Sequence, residues 1–201
     1  MIQSFLLVAA YLLGGIPFGY LLVKWRTGED VRAAGSGNIG ATNVLRTTGR
    51  AMGIATLLLD VAKGFVAVWA MGYFSGQDPV WMSLAALAVM AGHAFPVFLK
   101  FQGGKAVASF IGAFLYLTPW PLFTVLLVFL ATVWVTRHIS LGSIVACGLF
   151  PFGVWLIEHP HWIVTLAAAI AGWFVIYRHR ANIGRLRAGT ESVFTFRRAV
   201  S

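Results

Sequence analysis

The sequence predicts an all-α membrane protein: seven transmembrane helices, the N-terminus outside, the C-terminus cytoplasmic, and glycine-rich cytoplasmic loops forming the functional site. Three observations predict it. The 201 residues are 59% hydrophobic and only 10% charged, with a mean hydropathy of +0.83, whereas a soluble domain carries roughly 25% charged residues. Seven apolar runs divide the chain, at 2–23, 52–74, 80–98, 105–117, 121–136, 140–157 and 162–177. Finally, every Lys and Arg except Lys63 falls in alternate gaps between those runs or, for Lys105, at the edge of one, the charge asymmetry that keeps basic loops on the cytoplasmic side.

The first run starts at Ile2 with no basic residue before it and continues to Lys24. It lacks the positive start and small-residue cleavage site of a secretory signal, so it reads as a retained span. Lys24, Arg26, Arg32, Arg46 and Arg50 follow it. The second, third and fifth to seventh runs approach the ~20 residues that cross a bilayer core. The fourth is short, preceded by Gly103-Gly104 and ended by Thr118-Pro119, and is expected to start part-way into the membrane beside a cavity. Lys100 and Lys105 precede it, Arg137 follows the fifth run, and Arg178, Arg180, Arg185, Arg187, Arg197 and Arg198 follow the last. Trp81, Trp120 and Trp162 stand at the expected outer boundaries, where amphipathic rings anchor. Pro17, Pro96 and Pro151 are expected to kink or end their helices.

These features describe one membrane domain over 1–201, with no separate soluble domain. The net charge of +9 does not indicate nucleic acid, because the basic residues sit in short loops where topology explains them; membrane lipid head groups are the expected neighbours. The single cysteine, Cys147, lies in an apolar run, which excludes an internal disulfide or a cysteine metal site. No metal-ligand spacing, paired carboxylates or Gly-x-Ser-x-Gly elbow occurs, so neither a metal nor a cofactor is expected.

Three polar segments carry the candidate chemistry, all on the basic face. The first, Gly35-Ser36-Gly37-Asn38-Ile39-Gly40-Ala41-Thr42-Asn43-Val44-Leu45-Arg46, has glycines that let backbone N–H groups turn toward an anion. Ser36, Thr42 and Asn43 can add hydrogen bonds, and the planar fork of Arg46 matches a phosphate. The competing reading is a flexible loop. The second, Gly92-His93-Ala94-Phe95-Pro96 with Gly103-Gly104-Lys105, places a cation and glycines where a helix N-terminus would favour a phosphate; a glycine turn with a topology-setting lysine is the alternative. The third runs from His179 to Glu191, with His179 and Asn182 three apart and so on one face of a continuing helix; a basic juxtamembrane tail is its alternative. Ser140 and Ser143 begin the sixth run and could cap it or touch a substrate. Asp60 and Lys63 lie within the second run. At about 2.5–3.5 kcal/mol each, intramembrane charges should pair or face a cavity.

The three segments, in this order between these spans, resemble the bacterial membrane glycerol-3-phosphate acyltransferases that use acyl phosphate. The match covers nearly the whole chain, with Ile39 where the family usually has proline. The resemblance implies a multi-pass protein of the bacterial inner membrane, monomeric and cofactor-free, with its active site facing the cytoplasm. Its substrates would be acyl phosphate and glycerol 3-phosphate, and its products lysophosphatidic acid and phosphate. It implies catalytic roles for Ser36, Arg46, Lys105, His179 and Asn182. Substrate-binding roles would fall to Gly37, Asn38, Thr42, Asn43, His93, Gly103, Gly104, Ser143, Arg180 and Glu191. Gly103, Gly104, Thr42 and Asn43 would cradle the donor phosphate, Arg46, Lys105 and His179 would hold the acceptor phosphate, and Ser36, Ser143 and Asn182 would orient hydroxyls. The family is thought to lack a protein base. The rival classes are a transporter of phosphate or a phosphorylated metabolite and a non-catalytic lipid-binding scaffold.

Overall fold

The computed structural model describes residues 1–194; Arg197 and Arg198, assigned above to the basic tail, lie outside the described residues. Those residues form helices and turns with no strand. The chain divides into two compact units, Met1–Leu117 and Thr118 onward.

In the first unit, the opening apolar run is two helices, α1 (Ile2–Gly15) and α2 (Phe18–Thr27). The break falls at Ile16-Pro17, with Ile16 extended at φ −63° and ψ 114°; a residue before proline is pushed out of the helical region. A 3-10 turn (Val31–Ala33) and α3 (Ala41–Thr48) precede the long α4 (Arg50–Ser75). The α5 helix (Pro79–Ala94) starts on Asp78, whose Oδ1 accepts from the N–H groups of Val80 and Trp81, an N-cap with proline at the first position. It ends before Pro96, earlier than the apolar run at 80–98 suggested, and a 3-10 turn covers Val97–Leu99. The α6 helix (Val107–Leu117) completes the unit.

The helices of this unit approach closely because glycines face backbone. A methyl at Gly64 would strike the carbonyl of Ser109, and one at Gly112 the carbonyl of Val61, so α4 and α6 meet through reciprocal notches. Gly14 and Gly92 do the same for α1 and α5 against Val89 and Tyr11. Small residues at such crossings are how membrane helices gain dispersion contact without a hydrophobic driving force.

The second unit holds α7 (Pro119–Thr136), α8 (Ile139–Ile157), α9 (Trp162–Arg178) and α10 (Arg180–Arg187). The α8 helix packs on α7 and α9 and runs through Pro151 without ending, so of the three prolines this one does not terminate its helix. At His179 the axis turns by 56° into α10.

Among the described residues, five stretches are long and apolar enough to cross a membrane: Ile2–Thr27, Arg50–Ser75, Pro79–Leu99, Pro119–Thr136 and Ile139–Ile157. The bent pair α9 and α10 makes a sixth if taken as one span. At 11 residues, α6 reaches only about 16 Å at 1.5 Å per residue, half of a ~30 Å hydrocarbon core.

Candidate functional site

The glycine-rich segment is partly helical. Gly40 opens α3, which carries Thr42, Asn43 and Arg46, and Gly49 at φ +101° closes it. Eight residues between glycines are too few to register as a helical period. The loop before it is wound around one side chain. Asn43, 2% exposed, donates from Nδ2 to the carbonyls of Asn38 (2.9 Å), Ala34 (3.1 Å) and Val31 (3.2 Å). Its Oδ1 accepts from the Ser36 N–H at 2.8 Å. Gly35 sits at φ +60°, where a Cβ would collide with that Oδ1. Asn38 Oδ1 accepts from the Gly40 N–H at 2.8 Å, an Asx turn leading into the helix. Asn43 and Asn38, read from sequence as substrate contacts, have these side-chain groups engaged in building the loop. Ser36, Gly37 and Arg46 are exposed on it, and Thr42 is half-buried. Nearby, Arg32 makes a bidentate pair with Asp30 (Nη2–Oδ2 2.6 Å), which holds the Asp30 carboxyl below its usual range.

The second segment is a strap between the 3-10 turn and α6. The Gly103 N–H donates to the Ala94 carbonyl (3.2 Å) and the Gly104 N–H to the His93 carbonyl (3.0 Å). These amides, expected to face a phosphate, instead satisfy carbonyls at the C-terminus of α5, which would otherwise be orphaned. A Cβ on Gly103 would strike the His93 carbonyl, and one on Gly104 the His93 imidazole. Lys105 follows, half-buried, and Ala106 takes φ +62° before α6 begins at Val107. The helix therefore starts two residues later than the apolar run, leaving Lys105 on the strap.

His93 is 4% exposed and belongs to a buried cluster. Its Nδ1 lies 3.6 Å from Asp60 Oδ1, which Lys63 Nζ approaches to 2.7 Å. The pair expected within the second apolar run is formed. Its third member, His93 on another helix, was not legible because no local spacing connects α4 to α5.

In the second unit, Glu191 is the centre. Its Oε1 accepts from Asn182 Nδ2 (2.6 Å) and Ser140 Oγ (2.8 Å), and its Oε2 from Arg185 Nε (2.7 Å). Burial raises the carboxyl's pKa, but the bonds from Asn182, Ser140 and Arg185 outweigh it and bring the group below its ordinary 4.5. Glu191 thus ties the loop after α10 to α8 and orients Asn182. The Asn182 Oδ1 is buried with no hydrogen-bond partner among the described residues, an acceptor suited to a hydroxyl. His179 Nδ1 lies 2.8 Å from the Val175 carbonyl, which requires the proton on Nδ1, and its own carbonyl accepts from the Ile183 N–H. The helical path from His179 to Asn182 thus continues despite the bend. Ser143 donates to the Ile139 carbonyl (3.0 Å). Arg180 is exposed and stacks over Tyr177 at 5.0 Å. Ser140, read from sequence as a helix cap or a substrate contact, and Arg185, read as part of a basic tail, both donate to Glu191.

Residues 4–189 match the family model described as glycerol-3-phosphate acyltransferase. The chain is 45% identical over 189 residues to the glycerol-3-phosphate acyltransferase of Geotalea daltonii, covering 94% of this chain and 96% of that protein. It is 46% identical over 195 residues to that of Geobacter sulfurreducens, covering 96% and 99%. Among solved structures, it resembles the glycerol 3-phosphate form of PlsY (YgiH), an integral membrane glycerol 3-phosphate acyltransferase. There the TM-score is 0.92 and the identity 37%, over 97% of this chain and 96% of that one. The lysophosphatidic acid form of PlsY gives 0.89 and 36% over the same shares. With agreement over nearly the whole chain in both sequence and backbone, the chain belongs to the glycerol-3-phosphate acyltransferase family.

Proposed function

We propose that the protein transfers a fatty acyl group from acyl phosphate to the sn-1 hydroxyl of glycerol 3-phosphate, with the whole chain acting as one acyltransferase domain. The hydroxyl oxygen attacks the acyl carbonyl, the carbon–oxygen bond to phosphate breaks, and the departing phosphate takes the hydroxyl proton. Lysophosphatidic acid and inorganic phosphate leave.

The observation that carries this base-free reading is the fate of the carboxylates. The chain has six, and five are engaged. Asp30 pairs with Arg32, Asp60 with Lys63, and Glu191 with Arg185; Asp78 caps α5 and Glu158 accepts from the Trp120 N–H. The sixth, Glu29, is exposed in the turn after α2. No carboxylate is poised as a general base, so rate acceleration falls to positioning and to cations facing the developing oxyanion. In this reading Arg46, Lys105 and His179 hold the acceptor phosphate. Ser36, Ser143 and the buried Asn182 Oδ1 orient hydroxyls. Gly37, Asn38, Thr42, Asn43, Gly103, Gly104 and Arg180 support substrate binding, and His93 and Glu191 act from behind them. The enzyme is a monomer in the inner membrane, crosses it seven times with α6 as a short crossing, and presents its basic loops to the cytoplasm.

The test mixes purified protein with glycerol 3-phosphate and either acyl phosphate, acyl-CoA or an acyl carrier protein thioester, and follows lysophosphatidic acid and phosphate. Product from acyl phosphate alone is expected. Product from a thioester but not from acyl phosphate overturns the donor assignment. Uptake of glycerol 3-phosphate into proteoliposomes with no acyl transfer would return the transporter reading.

A further inference from the structure

We propose that Asp60, Lys63 and His93 form a buried positioning triad that holds the Gly103–Lys105 strap in its binding geometry. The inference rests on the reading of Lys105 as a phosphate ligand, and it gives the intramembrane charges of α4 a task.

Asp60 and Lys63 are 2% and 3% exposed, in a helix long and apolar enough to cross a membrane. Paired buried charges are rarely better for stability than apolar residues of equal size, so their presence calls for another reason. Their partners supply one. Lys63 Nζ donates at 3.0 Å to the Ile16 carbonyl, which also accepts from the Phe18 N–H where α1 breaks before Pro17, and lies 5.6 Å from the Phe18 ring centre. Lys63 therefore ties α4 to the α1–α2 break. Asp60 Oδ1 stands 2.7 Å from Lys63 Nζ and 3.6 Å from His93 Nδ1, which ties α4 to the end of α5.

His93 carries the connection onward through two independent contacts. Its carbonyl accepts the Gly104 N–H at 3.0 Å, and its ring lies flush against Gly104, where even a methyl would overlap it. Lys105 is the next residue. An imidazole that faces a buried carboxylate at 3.6 Å, beyond hydrogen-bond distance but within electrostatic reach, thus forms the floor under the strap. The ring is enclosed rather than open to a substrate, so it is a positioning residue and not a proton acceptor.

The test uses the full chain in one detergent. Amide exchange by mass spectrometry follows Gly103 and Gly104, and steady-state kinetics follow glycerol 3-phosphate. In the wild type, the strap amides should exchange at least ~10²-fold more slowly than those of an unstructured peptide of the same sequence. His93→Leu should speed strap exchange and raise KM for glycerol 3-phosphate about tenfold or more, because displacement of a binding group by an ångström costs on that scale. His93→Asn, which can place a polar atom near the Nδ1 position, should recover most of both losses, a rescue that a merely space-filling role does not give. Gly104→Ala, which pushes on the ring and leaves the charges in place, should reproduce the KM increase and replaces H93L if that variant does not fold. Strap amides exchanging as fast in the wild type as in the unstructured peptide overturn the proposal, and that measurement needs no variant. Unchanged KM in folded H93L or G104A overturns it too. Because exchange is read without turnover, failure of the triad is distinguishable from failure of the acyl-phosphate reading, which would show as no product in the wild type.

Discussion

Replacing Glu191 by Gln keeps the shape of the side chain and removes its charge. The carboxylate accepts from Ser140, Asn182 and Arg185 at 2.6–2.8 Å. Hydrogen bonds to a charged group contribute about 1.5–3 kcal/mol each, and neutral ones about 1 kcal/mol. The amide oxygen of Gln can still accept from Ser140 and Asn182, so those two weaken by about 0.5–2 kcal/mol each. The amide nitrogen then faces Arg185 Nε, donor against donor. The Arg185 side chain is 40% exposed, so solvent screens that pair and its loss counts for at most about 1 kcal/mol. The sum is on the order of 1–5 kcal/mol, concentrated at the tie that orients Asn182. Thermal inactivation in detergent should come several degrees earlier in E191Q, and phosphate release should fall about tenfold or more as Asn182 loses its orientation.

The pH dependence carries a sign. The folded Glu191 pKa lies below its ordinary 4.5, so its contribution is fully present above 4.5 and is lost as pH falls through the folded value. The stability gap between wild type and E191Q should therefore be flat at neutral pH and close on acidification below 4.5. A variant with wild-type inactivation temperature and turnover, or a gap that closes on raising the pH, would refute the reasoning.

Lys105→Ala and His179→Ala should each lower acyl transfer at least ~10²-fold, the effect of removing one stabilising donor; near-wild-type turnover in either folded variant counts against its role. Asn43→Asp replaces two donors, which face three carbonyls, with an acceptor. It should open the 35–40 loop to proteolysis and impair turnover more than Asn43→Ala, and an intact, protease-resistant N43D would contradict the loop assignment. Gly64→Ala and Gly112→Ala each press a methyl into the facing helix backbone and should destabilise by about 1–3 kcal/mol, read as earlier thermal inactivation of each variant; unchanged thermal inactivation would mean that α4 and α6 separate at little cost.

The all-helical class, the apolar stretches and the ends at Pro17 and Pro96 were legible because each depends on neighbours in the chain. Proline removes a donor and biases the preceding residue wherever it stands. Glycine-rich segments were legible as special, but not in what they do. The helix in residues 41–48 lies between glycines and is too short to show a period, and the amides of Gly103 and Gly104 turn to the end of α5. Likewise, nothing in the spacing of Asp60 and Lys63 indicates His93, 30 residues and one helix away.

Composition and order alone marked the chain as a membrane protein, showed which loops carry the cations and singled out the polar segments on that face, because hydropathy and charge are properties of short windows. Tertiary structure decided which polar groups are already engaged by the protein itself. Asn43 winds a loop, Glu191 anchors a tail, the strap amides cap a helix, and Asp60 stands between a lysine and a histidine. Inside a membrane a buried donor or acceptor must find a partner wherever the fold brings one, and that partner is commonly remote in sequence.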